Sequence, residues 1–399
     1  MKAIPYGKQD IQQDDIDAVI SALTSDYLTQ GPRILEFEKA FAAYTGAKYA
    51  VAVANGTAAL HLSAMVLNVQ PGDKVITTAI TFAASANCVR YCGGEVVFCD
   101  IDPETYLLDL RQVRSLLESH PRNTFKGIIP VDFAGYPVNL EAFRQLADEY
   151  GLWIIEDACH SPGAYFTDSK GVRQHCGNGN FADLSVFSFH PVKHIAAGEG
   201  GMVTTNSEAL YKKLMLLRTH GITRDQDAFI NGQELASAGE DATNYPGWYM
   251  EMQTLGFNYR LTDFQAALGL SQLKKADAGL ARRKEIAKRY DTAFKGHPAI
   301  QSLGLELQEQ DTSHAYHLYV IQVKKRLGLY NSLRQDNIFP QIHYIPVHLM
   351  PYYQQQGWKK GDLPVAEDYY AHCLSLPMYP SLSNEEQDFV IDRILKYFS

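Results

Sequence analysis

One lysine lies where its amine could act as a chemical reagent. Lys193 belongs to residues 187–201, FSFHPVKHIAAGEGG, in which an apolar run passes into a glycine-rich turn. A loop lysine is most often a solvated surface group, but a desolvated lysine has a depressed pKa and is a competent nucleophile near neutral pH. His190 and His194 flank it at a zinc-like spacing, yet the glutamate expected between such histidines is absent. We therefore predict a reactive amine and no metal, and we assign no role to the two histidines.

Two other groups are predicted to lie near this lysine. The run WIIEDACH predicts a strand ending at Glu156-Asp157, with one carboxylate directed into a crevice. The run VANGTAAL ends a strand and opens a helix at Gly56 and Thr57, where free backbone N–H groups and a hydroxyl form an anion site. Ser188 adds a second hydroxyl. Because ligands bind at the carboxyl ends of strands in open parallel sheets, these groups are expected on one rim.

This combination suits one kind of ligand, a phosphorylated aromatic aldehyde that can be protonated. Pyridoxal 5'-phosphate is that molecule: the lysine would bond to the aldehyde, the carboxylate would keep the ring nitrogen protonated, and the helix start would bind the phosphate. Each feature alone is more often a turn, a helix cap or a solvated lysine. Their joint occurrence in this order favours the cofactor.

The elements that must position these groups alternate along the first two thirds of the chain. Short β-rich runs such as YAVAVA, DKVITT and LWIIEDA alternate with helical-period runs such as GTAALHLSAMVL and NLEAFRQLADEYG. This pattern predicts an α/β fold with a mostly parallel sheet and helices on both faces.

The pattern changes after Gly256. One long helix is predicted from the capping sequence Thr262-x-x-Gln265, followed by strands in HAYHLYVIQV and QIHYIPVH and a last helix, NEEQDFVIDRILKYF. We place a domain boundary near residue 255. It divides a large domain with an N-terminal arm, residues 1–255, from a smaller C-terminal α+β domain, residues 256–399.

Composition limits the functional classes. The 399 residues are 46% hydrophobic, which supports a large core, and the net charge of -9 argues against nucleic-acid binding. The longest apolar stretch, residues 49–69, contains polar and glycine positions that favour strand-turn-helix over a membrane span. The first ten residues lack the apolar core of a signal peptide, and the cysteines form no paired framework. We expect a cytoplasmic protein that binds neither nucleic acid nor membrane.

The lysine turn, FSFHPVK followed by GEGG, closely resembles the lysine motif of the nucleotide-sugar aminotransferases of the DegT group. The similarity covers nearly the whole chain, through YLTQGP, ANGTAAL, TFAASAN, EDACHSPGA, GFNYRLTDFQAALGLSQL and HYIPVH. These are aspartate-aminotransferase-like enzymes of fold type I. SDYLTQGP, SFHPVKHI, LGLSQLKKA and IHYIPVHLMPYYQQ are most similar to the pseudaminic-acid-pathway subfamily, which aminates UDP-2-acetamido-2,6-dideoxy-β-L-arabino-hexos-4-ulose.

The resemblance implies a pyridoxal-phosphate transaminase that takes an amino group from glutamate and places it on the 4-keto carbon of a nucleotide-linked 4-keto-6-deoxy hexose. Some relatives have a histidine at the lysine position and perform dehydration, so the lysine favours transamination. The alternatives are another nucleotide-sugar aminotransferase, with a different hexose or a dTDP-linked one, and a lyase or synthase of the same fold.

The resemblance also implies roles for single residues. Lys193 matches the lysine that carries the cofactor and moves protons, and Asp157 matches the partner of the ring nitrogen. His160 matches a residue near the ring's phenolic oxygen, and Phe82 matches the aromatic residue stacked on the cofactor ring. Gly56, Thr57 and Ser188 match the phosphate cup. Asn258 matches an asparagine that reaches into the neighbouring subunit's site. The substrate positions are Tyr6, Tyr27, Leu28, Thr29, Tyr316, His317, Leu318 and Tyr319. A homodimer with shared active sites is therefore implied.

Overall fold

Strands and helices alternate along the first half of the chain in the computed structural model, which describes residues 2–241, 243–302 and 312–399. The strands are β1 (Ile4–Pro5), β2 (Tyr49–Val53), β3 (Lys74–Thr78), β4 (Glu95–Cys99), β5 (Phe125–Ile129), β6 (Trp153–Asp157), β7 (Tyr165–Thr167), β8 (Arg173–His175), β9 (Leu184–Ser188), β10 (Gly201–Thr205), β11 (Ile222–Thr223), β12 (Glu251–Met252), β13 (Ile300–Ser302), β14 (Thr312–Ser313), β15 (Tyr319–Val323), β16 (Ile338–Phe339) and β17 (Cys373–Leu376).

The helices lie between and after these strands. They are α1 (Gln13–Leu23), α2 (Pro32–Thr45), α3 (Gly56–Val66), α4 (Ala84–Tyr91), α5 (Leu110–Glu118), α6 (Leu140–Tyr150), α7 (Glu208–Arg218), α8 (Gln233–Ala236), α9 (Asp263–Leu273), α10 (Ala276–Phe294), α11 (Arg326–Gln335), α12 (Pro351–Gln354), α13 (Pro364–His372) and α14 (Asn384–Phe398). In the part of the chain that the structure describes, none of them is both long and apolar enough to span a membrane.

A seven-stranded sheet forms the centre, in the order β2-β10-β9-β6-β5-β3-β4. The pairs β3-β4, β3-β5, β5-β6 and β6-β9 are parallel, and β10 alone runs against its two neighbours, β2 and β9. The central strands are buried almost throughout, as expected of a sheet with both faces covered. The predicted α/β fold with a mostly parallel sheet is confirmed.

The residues after Gly256 differ from the predicted elements in two places. The predicted long helix is two helices, α9 and α10, because the chain breaks at Lys274–Lys275, where the Lys275 ammonium bonds to Asp14 and Asp15 of α1 at 2.8 and 2.7 Å. The predicted cap is present, since Thr262 and Gln265 form a capping box at the start of α9.

The two strands predicted after these helices are also shorter than expected. HAYHLYVIQV forms a strand only from Tyr319, because Tyr316 has φ of 49° and interrupts the extended backbone. QIHYIPVH forms no strand beyond one bridge between Gln341 and Ser375, and its Val347 N–H instead bonds to Ala79 of the central domain at 2.9 Å.

A second core lies between the C-terminal elements. The antiparallel sheet β13-β15-β17 packs with α10, α11 and α14, and its buried cluster includes Tyr290, Phe294 and Val390. Ile4 from the N-terminal arm joins this cluster, because β1 pairs with β16. Leu261, in contrast, packs with α2 of the first part of the chain. The boundary near residue 255 stays a prediction.

Gly201 begins β10 where three strands converge. A Cβ added there would lie 2.4 Å from the carbonyl oxygen of Asn55 and 2.9 Å from the backbone nitrogen of Gly56. We expect Gly201→Ala to lower the free energy of unfolding by about 1–3 kcal/mol, because the added methyl group overpacks the site. Urea denaturation measures this change. Gly247→Ala, where no atom lies within 4 Å of the added carbon, is the control, and an equal loss in both variants would contradict the close-packing explanation.

Candidate active site

Lys193 lies in a turn that follows β9 at the carboxyl edge of the central sheet. The backbone folds back tightly, since Lys193 N–H donates to His190 O at 2.8 Å and Phe189 N–H donates to Gly200 O at 2.8 Å. The lysine side chain is half-buried, and burial lowers the pKa of its amine, while Cys159 and Asp157 oppose that shift. Among the described residues, none forms an ion pair with this amine. Lys193 is therefore a partly desolvated amine near a carboxylate.

Asp157 ends β6, and two donors hold its carboxylate. Ser85 Oγ donates to Oδ2 at 2.6 Å, and the Cys159 N–H donates to Oδ1 at 3.2 Å. The sequence analysis missed Ser85. Its only sequence signal is its position in the first turn of α4, the helix that follows β3, because helices that follow parallel strands begin at the same edge of the sheet.

The start of α3 forms a cradle beside β9. Asn55 caps the helix by accepting the Ala58 N–H at 2.8 Å, and the N–H groups of the first turn have no partner within the helix. Ser188 lies against this start, since a Cβ added at Gly56 would lie 3.0 Å from Ser188 Cβ. Gly56 and Ser188 thus come together, with the half-buried Thr57 in the same helical turn. Such a helix start suits a phosphate group.

Three histidine rings form a column behind these groups. The ring of His160 lies on that of His317, with centroids 4.2 Å apart, and His317 is 5.7 Å from His194. Tyr344 OH lies 3.3 Å from His160 Nε2, and His194 Nε2 donates to Ala315 O at 2.9 Å. The Nδ1 atoms of all three histidines are buried without a partner among the described residues. Burial holds the pKa of each ring well below its usual value, and the Lys193 charge adds to this shift, so each ring favours its neutral form.

The two histidines beside the lysine do not form a pair. His190 is exposed, whereas His194 belongs to the column, so the two rings lie in different surroundings. Tyr344, which the sequence analysis did not single out, links the column to the open side, because its ring lies 6.4 Å from that of Phe82. Phe82 itself is 64% exposed, so one face is free for a stacked ring.

The other substrate candidates are spread over a wider region. The ring of Tyr6 lies 4.9 Å from that of His343, close to Tyr344. Tyr27 and Leu28 are exposed, and Thr29 pairs with Thr262 through one bridge.

The segment from Tyr316 to Tyr319 is buried throughout. Within it, His317 belongs to the histidine column. Tyr319 donates its hydroxyl to Asp291 of α10 at 2.6 Å. Leu318 packs with the buried apolar side chains around the central sheet. The substrate roles of these residues stay predictions.

Asn258 lies on the surface of the chain. It pairs with Thr219 through one bridge, and two residues later Arg260 pairs with Val53 of β2. In the chain segment that precedes it, Leu255 is 74% and Trp248 75% exposed. In the ranges that the structure describes, Asn258 contacts neither the lysine nor the strand-end carboxylate.

Comparison with known proteins identifies relatives along the whole length. A model described as the DegT/DnrJ/EryC1/StrS aminotransferase family matches residues 9–395. Spore coat polysaccharide biosynthesis protein SpsC of Bacillus subtilis is 38% identical over 399 residues, 98% of this chain and 96% of that protein. The UDP-4-amino-4,6-dideoxy-N-acetyl-beta-L-altrosamine transaminase of Campylobacter jejuni is 34% identical over 395 residues, 98% of this chain and 96% of that protein.

Solved structures give the same result. Helicobacter pylori PseC, an aminotransferase involved in the biosynthesis of pseudoaminic acid, has a TM-score of 0.85 and 31% identity, covering 100% of this chain and 99% of that chain. Other solved relatives are known in pyridoxal-phosphate and pyridoxamine-phosphate forms. The predicted fold type I, the resemblance to the DegT group and pyridoxal phosphate as the cofactor are confirmed.

The neutral histidine column has a consequence for stability. Below the ordinary histidine pKa of about 6.5, the unfolded chain binds protons that the folded chain excludes, so stability falls as the pH falls through that value. His317→Phe keeps a ring against His160 and removes one such group. We expect the slope of unfolding free energy against pH, between about pH 6 and 5, to decrease by up to about 1.4 kcal/mol per pH unit. Urea denaturation of the cofactor-free protein measures it.

His120→Phe is the matched control, because this ring is exposed. An equal decrease of the slope in both variants would show that the buried column does not exclude protons.

Proposed function

The chain belongs to the DegT/DnrJ/EryC1/StrS aminotransferase family, and we propose that it moves an amino group from glutamate to the 4-keto carbon of UDP-2-acetamido-2,6-dideoxy-β-L-arabino-hexos-4-ulose. Enzymes of this family are transaminases that depend on pyridoxal phosphate. One observation carries the proposal for this chain: the half-buried amine of Lys193 lies at the same sheet edge as the Asp157 carboxylate and the start of α3.

The side chains at this edge fit the cofactor. The cofactor supplies an aldehyde and a ring that accepts electrons. Ser85 and the Cys159 N–H orient the Asp157 carboxylate, which would hold the ring nitrogen protonated. The first turn of α3 and Ser188 would bind the phosphate, because backbone N–H groups at a helix start favour anions.

Lys193 would have two tasks. Burial favours its neutral form, which is the nucleophile that bonds to the aldehyde. During transfer, the same amine would move a proton at the carbon that carries the amino group. The half-buried position limits competing water, and the open face of Phe82 would cover the ring.

The proposed sugar rests on the relatives. The Campylobacter protein carries the name of a transaminase for a UDP-linked amino sugar, and the Helicobacter protein is described as acting in pseudoaminic acid biosynthesis. The Bacillus protein favours a second candidate, because its identity is higher and its name refers to spore coat polysaccharide. The second candidate is amination of a different nucleotide-linked keto-hexose, with UDP or dTDP as the nucleotide.

We also propose that the enzyme is a cytoplasmic homodimer. All six cysteines are free, as in proteins of a reducing compartment. The exposed Trp248 and Leu255, in the segment that leads to Asn258, support a partner on this part of the chain, because large exposed apolar groups are common at protein–protein contacts. In a dimer, Asn258 would complete the site of the neighbouring subunit.

The reaction can be tested by following 2-oxoglutarate released from glutamate. We expect sustained release only when the UDP-linked keto-sugar is supplied, because each turnover needs an acceptor for the amino group. Lys193→Ala is expected to lower turnover by about a thousandfold or more, since no other amine replaces it. It should also remove the visible absorbance of the covalently held cofactor. Lys170→Ala, an exposed lysine, is the control.

Three outcomes would contradict this scheme or a part of it. Wild-type absorbance and activity in Lys193→Ala would exclude Lys193 as the reacting amine. A higher kcat/KM for a dTDP-linked keto-sugar, or for another UDP-linked hexose, would favour the second candidate. Sustained consumption of glutamate, beyond one equivalent per enzyme and without any keto-sugar, would indicate a different reaction class.

The shared site can be tested by mixing two damaged proteins. Lys193→Ala chains and Asn258→Ala chains are each expected to be impaired, the latter by about 1–3 kcal/mol in cofactor or substrate binding, because a buried polar partner is left unpaired. A mixed dimer would contain one intact site and one doubly damaged site. We therefore expect activity above that of either parent, measured after subunit exchange is verified by mass spectrometry. No recovery after verified exchange would show that Asn258 does not act across subunits.

A further inference from the structure

Two carboxyl groups lie buried together behind the candidate active site. Glu156 is 1% exposed and Asp132 is fully buried, and their oxygens lie within 4.8 Å of each other and of the Cys176 sulfur. In the described part of the chain, no lysine, arginine or histidine forms an ion pair with either group. Two buried carboxylates without a counter-charge cannot both be ionised, so one of them must hold a proton.

The hydrogen-bond donors around the pair indicate which group is protonated. Asp132 accepts two donors, the Val138 N–H at 2.8 Å and the Ser161 hydroxyl at 2.5 Å. Glu156 accepts the Gly177 N–H at 2.9 Å on Oε2, and the Ser185 hydroxyl is close enough to lower its pKa, but its Oε1 is buried with no partner within hydrogen-bond distance among the described residues. Because hydrogen-bond donors stabilise the charged form of a carboxyl group, Asp132 is favoured as the ionised group and Glu156 as the group that holds the proton.

We propose that Glu156 is a neutral carboxylic acid that donates its proton to the Asp132 carboxylate, and that this pair positions Asp157 and His160. The proposal rests on the proposed function, because it concerns the two residues next to the cofactor. Burial and the Asp132 charge both raise the pKa of Glu156 well above its usual range, in agreement with the donor count.

The Glu156–Asp132 pair is connected to Asp157 by backbone hydrogen bonds at the end of β6, and to His160 through the neighbouring Ser161. The Asp132 N–H donates to Asp157 O at 3.1 Å, and the Asp157 N–H donates to Pro130 O at 2.9 Å. Ser161, held by Asp132, is the residue after His160. Since side chains alternate along β6, Glu156 directed into the pair places the Asp157 carboxylate on the opposite face. The pair therefore fixes the segment that carries both site residues.

Two isosteric variants distinguish the two carboxyl groups. Glu156→Gln keeps a neutral donor toward Asp132, so we expect pyridoxal phosphate to bind within about twofold of the native affinity. Asp132→Asn replaces the acceptor of the Val138 N–H, the Ser161 hydroxyl and the proposed Glu156 proton by a side chain that is itself a donor. We expect binding to weaken by about tenfold as the segment shifts. Equilibrium titration of the cofactor-free proteins measures both.

Infrared spectroscopy of the cofactor-free protein tests the proton directly. The native protein should show the carbonyl band of a buried protonated carboxyl group, and Glu156→Gln should lose it. This measurement does not depend on any reaction. If native protein failed to bind pyridoxal phosphate while the band behaved as expected, the proposed function would fail and the protonated pair would stand.

Ser161→Ala covers the case in which Asp132→Asn does not fold. It removes the link between the pair and the turn of His160, together with a longer bond from the same hydroxyl to Ala158 O at 3.3 Å, so we expect a native far-ultraviolet spectrum and about tenfold weaker cofactor binding. The pH at which the bound cofactor changes absorbance should also shift, which a loss of stability alone would not cause. Ser63→Ala, which removes a buried hydroxyl that donates to Ala59 O at 2.8 Å, is the matched control.

Three outcomes would overturn the proposal. The reverse order, with Asp132→Asn tolerated and Glu156→Gln damaging, would place the proton on Asp132. Equal damage in both, together with a stoichiometric metal ion in the purified protein, would mean that the cluster binds a cation. An unchanged cofactor affinity and absorbance titration in Ser161→Ala would show that the pair stabilises the fold without positioning the site.

Discussion

Strand β10 runs antiparallel between β2 and β9, and the geometry of the candidate site depends on this placement. Its first residue, Gly201, pairs with the last residue of β2, Val53, and with the last residue of β9, Ser188. The helix start after β2 and the lysine turn after β9 therefore meet at the beginning of β10. Only a residue without Cβ fits there, because the Asn55 carbonyl lies too close. The glycines after the lysine thus bring an anion cradle and an amine to one edge.

The histidine column is held in place by a residue from the C-terminal half of the chain. Arg283 of α10 is 1% exposed, and its guanidinium donates to the carbonyl oxygens of Tyr316, His317 and Met378 at 2.9 to 3.3 Å. Burial lowers its pKa to about 10. All three bonds are made by one nitrogen, Nη1, whereas Nε is buried without a partner among the described residues. Through the carbonyls of Tyr316 and His317, the guanidinium holds the backbone that carries the histidine column. The column is thereby tied to a helix that belongs to the second core.

The sequence predicted the sheet well, because buried parallel strands are continuous apolar runs between helical patterns. It also predicted that Lys193, Asp157 and the start of α3 lie at one edge of the sheet, since strand ends and glycine-rich turns have local signals. It did not predict the Ser85–Asp157 bond or the contact of Tyr344 with His160, whose partners are 72 and 184 residues apart. Contacts of that kind depend on tertiary packing and leave no periodic pattern. The ion pairs of Lys275 with α1, at the point where the predicted long helix is divided, are contacts of the same kind.

Glu156 and Asp157 are adjacent in β6, so the register of this strand decides which acid faces the candidate site. A shift of one residue exchanges the faces of Glu156 and Asp157. The longer side chain would then enter the cofactor side, while the shorter one would face Asp132 behind the sheet. Both positions would lose the spacing of their hydrogen bonds, so a slipped strand would bury a carboxyl group with an unsatisfied oxygen. Electrostatics in this strand therefore disfavour misaligned pairing, at the same residues that are proposed to hold and position the cofactor.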